Sequence, residues 1–117
     1  MQIPAIKDIP VENVPFTKAS NEIDISNLKI IRYGKIVLVS GRVSSVTVGA
    51  GTWKDLITIT NDKDRIDNDI LLPVFFETAN KIGNGVMQAS NGTLMGRCPT
   101  AESNQNVYMN FVYFAKG

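Results

Sequence analysis

Six of the nine residues from Asn61 to Asp69 are Asp or Asn, the oxygen-rich kind of run that a hard cation such as calcium requires. An EF-hand loop further needs oxygen ligands at its first, third and fifth positions and a glycine at the sixth. Counted from Asp62, the third ligand slot falls on Ile66 and the glycine is missing, while Lys63 and Arg65 offset the charge from inside the run. The run therefore reads as a solvated loop of turn formers, and no metal is expected there.

Acid–base chemistry is limited in the same way. The chain contains no histidine, which removes the commonest general base, the commonest zinc ligand and every triad built on imidazole. A glycosidase would need two of the 11 carboxylates held at a fixed separation across a cleft, and none stands in such a context. No glycine-rich phosphate loop opens a helix and no G-x-S-x-G elbow is present. An enzyme is not expected, and no cofactor is implied. Cys98 is alone, which excludes an internal disulfide and reads as a small buried hydrophobe. The sequon Asn91-Gly92-Thr93 explains itself as a turn. Trp53 has the chemistry to stack on a sugar ring, but a single Trp in a small β-domain belongs more often to a core or an interface. Tyr33, Tyr108 and Tyr113 pose the same choice, and Arg97 reads as a rim residue able to bind a carboxylate or sugar hydroxyls.

The elements that must position these groups are strands. Of the 25 residues from Ile36 to Thr60, 12 are Val, Ile or Thr, which suit a pleated surface better than a helix. Leu28 to Tyr33 and Lys35 to Val43 flank Gly34, and Gly41 predicts a bulge or a close backbone approach. Glu22 to Ser26 alternates polar and apolar residues. Trp53 to Thr60 and Ile70 to Phe76 follow, the latter confined by Pro73 to an edge or a bulge. Asn91-Gly92 between Gly85–Ser90 and Thr93–Cys98 predicts a type I′ hairpin. Asn106 to Ala115 is apolar on both faces. About eight strands at this spacing predict an all-β fold, an antiparallel, jelly-roll-like β-sandwich, while residues 76–82 have room for one helical turn.

At 117 residues the chain fits one domain. Residues 1–21, with Pro4, Pro10 and Pro15, read as an extended arm that packs on something, such as a neighbouring subunit, and residues 22–117 as the sandwich. Net charge is +1, with basic residues dispersed, which argues against a nucleic-acid partner. No apolar run is long enough for membrane insertion, and the N-terminus lacks the apolar core of a secretory signal, so synthesis in a cytoplasm is the simplest expectation.

The run Tyr33-Gly34-Lys35-Ile36-Val37-Leu38-Val39-Ser40-Gly41-Arg42-Val43, followed by Gly51-Thr52-Trp53 and Leu56-Ile57-Thr58-Ile59, resembles the C-terminal head domains of phage tail-fibre and baseplate proteins. Asn91-Gly92-Thr93-Leu94 and Tyr108-Met109-Asn110-Phe111-Val112-Tyr113 stand where that family's hairpin and final aromatic strand would be. The resemblance covers roughly residues 28–117. It departs where the family carries a Gly-Tyr-Arg-Pro type segment, since Asn61 to Asp69 occupies that slot and the proline arrives late, as Pro73. The resemblance implies a homotrimeric sandwich in a virion tail, binding a host-surface saccharide or docking another baseplate or tail protein. It implies a glycan site, on loops or between protomers, drawn from Trp53, Asp62, Asp64, Arg65, Arg97 and Tyr108. The rival expectation is a non-viral lectin-like or small carbohydrate-active module.

Overall fold

A computed structural model describes residues 10–117. The fold is all-β: among the described residues ten strands form one antiparallel, curled sheet whose two halves enclose the core as a sandwich. The strands are β1 (Val11–Asn13), β2 (Phe16–Lys18), β3 (Leu28–Tyr33), β4 (Ile36–Val48), β5 (Lys54–Ile59), β6 (Ile70–Phe76), β7 (Lys81–Met87), β8 (Thr93–Arg97), β9 (Glu102–Tyr108) and β10 (Phe111–Phe114). The smaller half has the order β1-β3-β4-β10, and the larger runs β4-β9-β6-β7-β8-β5-β2.

β4 belongs to both halves because it bends. Its first residues pair with β3 and β10, and from Arg42 onward it pairs with β9. Gly41 sits at the changeover with φ +111°, and a Cβ there would lie 2.2 Å from the Asn27 carbonyl oxygen, so only glycine fits. The ladder then slips between Val43 and Val46, where Ser45 takes φ +61°; such bulges increase twist and re-aim a strand. The expected end of this strand at Val43 is thus five residues short, because two bulges carry it on instead of ending it. The opposite corner is spanned by the N-terminal segment, whose β1 adds to β3 while β2 adds to β5. The described part of the expected arm is therefore sheet edge within its own chain, and its residues 1–9 lie outside the described residues.

Inward-facing residues alternate along the strands, except where the ladder slips, as in β5, where Leu56 and Ile57 both face inward. Val37, Val39, Val43, Val46, Leu56, Ile57, Phe76, Leu94 and Val107 are fully buried, and each such side chain contributes about 1.5–3 kcal/mol of transfer free energy. Cys98 is buried, in keeping with a small hydrophobe. Pro73 lies where β6 has an open edge, since β6 meets β9 only at Phe75 and Phe76, and a missing donor is tolerated there.

Three local expectations need correction. Glu22 to Ser26 forms no strand; it is held by one bridge, Asp24 to Ser44, and by turn bonds such as Asp24 Oδ1 accepting from the Ser26 N–H at 2.9 Å. The hairpin at Asn91-Gly92 is not type I′, because only Gly92 has positive φ. Its loop is longer, closed by the Gln88 N–H to the Thr93 carbonyl at 2.9 Å and the Gly92 N–H to the Gln88 carbonyl at 3.0 Å. Asn106 to Ala115 is broken at Met109–Asn110 into β9 and β10, which lie end to end along the bent β4.

Candidate functional site

Alternation places the other half of each strand on the outer faces, and the large sheet's outer face collects three of the six side chains implied for a glycan site, Trp53, Arg97 and Tyr108. Register defines three rows across it. Leu71, Val86, Met95 and Asp55 form one, and Pro73, Asn84 and Arg97 the next. Ile82, Phe75, Tyr108 and Arg42 form the third. Trp53 precedes Lys54, which pairs with Gly96, so one step along the ladder sets it against Arg97. The Arg97 guanidinium lies 4.4 Å from the indole centroid, a cation–π contact. Across the face, Arg42 lies 6.0 Å from the Tyr108 ring centroid and donates to its hydroxyl at 3.3 Å.

Apolar side chains of this face stand in water: Ile82, 71% exposed, between the two cation–aromatic pairs, and Leu71, 78% exposed, one row beyond Arg97. A shallow hollow of about 280 Å³ is lined by Pro73, Val74, Phe75, Ile82, Tyr108 and Asn110. Arg42 makes no ion pair among the described residues, and its Nε is buried without a hydrogen-bond partner. Chemically this face offers aromatic stacking, apolar contact and guanidinium donors. It offers no acid–base pair.

Of the six residues implied for a glycan site, Trp53 and Arg97 are brought into contact, and Tyr108 shares their sheet face three strands from Arg97 and four from Trp53, about 14 and 19 Å. The indole's stacking face is partly taken: Arg97 covers one side, so a sugar ring would use the other or displace the guanidinium.

Asp62, Asp64 and Arg65 lie elsewhere, past the far end of β5, about 20 Å along that strand from Trp53. Asp62–Asp64 is a single 3₁₀ turn that plugs one end of the sandwich. Asp64 is 2% exposed and accepts from Arg32 Nη1 at 2.8 Å, and its main-chain carbonyl accepts from the Tyr113 hydroxyl at 2.6 Å. Arg32 also donates to the carbonyls of Gly34 (2.7 Å), Lys63 (2.9 Å) and Gly117. Arg32, Val37 and Tyr113 form one inward row of the small sheet, so this network ties the loop, the β3–β4 turn and the C-terminus together. Burial, with the Asp64 charge nearby, pushes the Tyr113 phenol well above its ordinary range. Asp62 pairs with Lys116 at 3.1 Å and Arg65 at 3.7 Å, while Arg65 Nε donates to the Ile59 carbonyl at 3.1 Å. Asp64 and Arg65 thus tie the loop to the sandwich, while Asp62 stands in exposed ion pairs. Among the described residues no three carboxylate or thiol groups converge as metal ligands.

The partners of Arg32 and Arg42 are not legible in the sequence. Arg32 meets Asp64 across 32 positions and Arg42 meets Tyr108 across 66, and nothing local signals either pairing. Among the described residues no helix is long and apolar enough to cross a membrane. No protein-family model matches this chain, and no curated protein matches it.

Proposed function

We propose that this chain is a non-catalytic module of a phage tail or baseplate that assembles as a homotrimer. The outer face of its large sheet would engage a host-surface saccharide or a neighbouring tail protein. The observation that carries this reading is the composition of that face: Phe75 and Ile82 stand in water between the Trp53–Arg97 and Tyr108–Arg42 pairs, with Leu71 one row beyond. Tryptophan, tyrosine and arginine are the side chains that dominate binding energy at interfaces, and contiguous exposed apolar surface marks interaction sites. The order of glycine-bracketed strand, Gly-Thr-Trp strand, hairpin and aromatic strand supports assigning the module to a tail.

The test is binding of the purified chain to a panel of bacterial surface polysaccharides and to tail proteins, with Trp53→Ala, Arg97→Ala and Tyr108→Ala alongside. Loss of about tenfold in affinity for Trp53→Ala is expected, the effect of one anchor side chain. Binding unchanged in all three variants would refute this use of the face.

A further inference from the structure

We propose that copies of this chain associate through the outer face of the small sheet, whose last strand is β10. This rests on the self-assembly in the reading above and names the surface that performs it. Two rows lie in register there: Val11, Tyr33, Ile36 and Phe114, then Asn13, Ile31, Leu38 and Val112. Phe114 is 69% exposed and Val112 55%, and Val11, Ile36 and Leu38 are also in water.

These five side chains present on the order of 450 Å² of apolar surface, taking about 150–200 Å² for each when fully exposed. That equals the non-polar share of one partner's ~800 Å² in a standard interface. The two rows carry no formal charge, so a polyanion or a charged peptide finds nothing to pair with. A second copy buries like against like, and with a net charge of +1 two copies repel each other little.

The edge points the same way. The Met109 N–H donates to the Gly41 carbonyl at 2.9 Å and the Ala115 N–H to the Lys35 carbonyl at 2.8 Å. Odd-numbered residues of β10 thus turn their main chain to β4, and by the alternation of an antiparallel ladder Val112 turns its main chain to the other side, while past Phe114 that side is closed by the Ile66–Ala115 bridge and by the Lys116 N–H to the Arg65 carbonyl at 2.9 Å. Exposed edges are normally blunted by short length, proline or lysine. β1 is three residues long between Pro10 and Pro15, and β2 is three residues long after Pro15 and ends in Lys18. β10, Phe-Val-Tyr-Phe, is four residues long and bounded at its end by the Ile66–Ala115 bridge, but it carries no proline or lysine, so its exposed side chains are apolar. Beside it runs a groove of about 390 Å³ lined by Ile66, Ile70, Val112 and Phe114, with Asp67 and Asn68 at its rim.

Sedimentation velocity on the full chain tests this, comparing wild type with Val112→Thr/Phe114→Thr, with Ile36→Thr/Leu38→Thr, and with Leu71→Thr/Ile82→Thr on the large sheet. Threonine keeps strand propensity, and far-ultraviolet circular dichroism verifies folding of each. The small-sheet variants are expected to weaken association by about 100-fold or more, while the large-sheet variant stays associated. Association that survives both small-sheet variants, or is lost only in the large-sheet one, would overturn the surface while leaving self-assembly standing. A wild-type chain monomeric throughout would overturn both.

Discussion

Asp64→Ala removes the only carboxylate that, among the described residues, pairs with Arg32 inside the end of the sandwich. Asp64 is nearly inaccessible and Arg32 is buried, with the ion pair at 2.8 Å. Breaking a buried pair by removing one partner costs about 3–5 kcal/mol, because the other charge stays in low dielectric without compensation. The carbonyls of Gly34, Lys63 and Gly117 still accept from the guanidinium, so the lower end, about 3 kcal/mol, is the better figure. For 117 residues the unfolding entropy near 60 °C is about 250 cal/mol/K, which converts this loss to a fall of about 12 °C in Tm. Thermal and urea unfolding followed by circular dichroism would measure it. The double variant Arg32→Met/Asp64→Leu should be more stable than Asp64→Ala, since it leaves no unpaired charge in the core. A fall of less than about 4 °C for Asp64→Ala would mean the guanidinium is already solvated, and the lock as described would be refuted.

Three further outcomes are expected. Tyr113 has a folded-state pKa raised above its unfolded value of about 10, so its contribution is fully present below about pH 10 and is lost as the pH rises beyond it. Urea melts should therefore show wild type losing up to ~1.4 kcal/mol per pH unit more than Tyr113→Phe above that point; parallel curves would contradict it. Gly41→Ala places a Cβ 2.2 Å from a main-chain oxygen at φ +111°, and should cost about 3 kcal/mol or more in chemical denaturation, or prevent folding. Arg97→Ala should cost only about 0.5–1 kcal/mol yet change the fluorescence of Trp53, the chain's single Trp. Unaltered emission would argue against the stacked pair.

Strand content was legible because β-branched runs, Pro73 and Gly41 act locally, and Gly41 does mark the close approach its position predicted. The two apolar faces of the last strand were legible in Phe111 to Ala115 for the same reason. What stayed hidden depends on register between distant strands. The pairing of Lys54 with Gly96 sets Trp53 over Arg97, and no pattern within either segment specifies that register. The oxygen-rich run from Asn61 looked like a solvated loop, and most of it is. Asp64 departs because Arg32, far upstream, gives it a buried partner. The hairpin differed in type because the four residues between Gln88 and Thr93 let Gly92 alone take positive φ, a choice that loop length makes and the Asn-Gly pair does not.

The central claim is that this sandwich works as an assembly of identical copies. Light scattering of the wild-type chain after size exclusion, from low to high micromolar concentration, tests that most directly. A mass of about 38 kDa, three copies of the 12.8 kDa chain, is the expected result. A mass of 12.8 kDa at every concentration would contradict it.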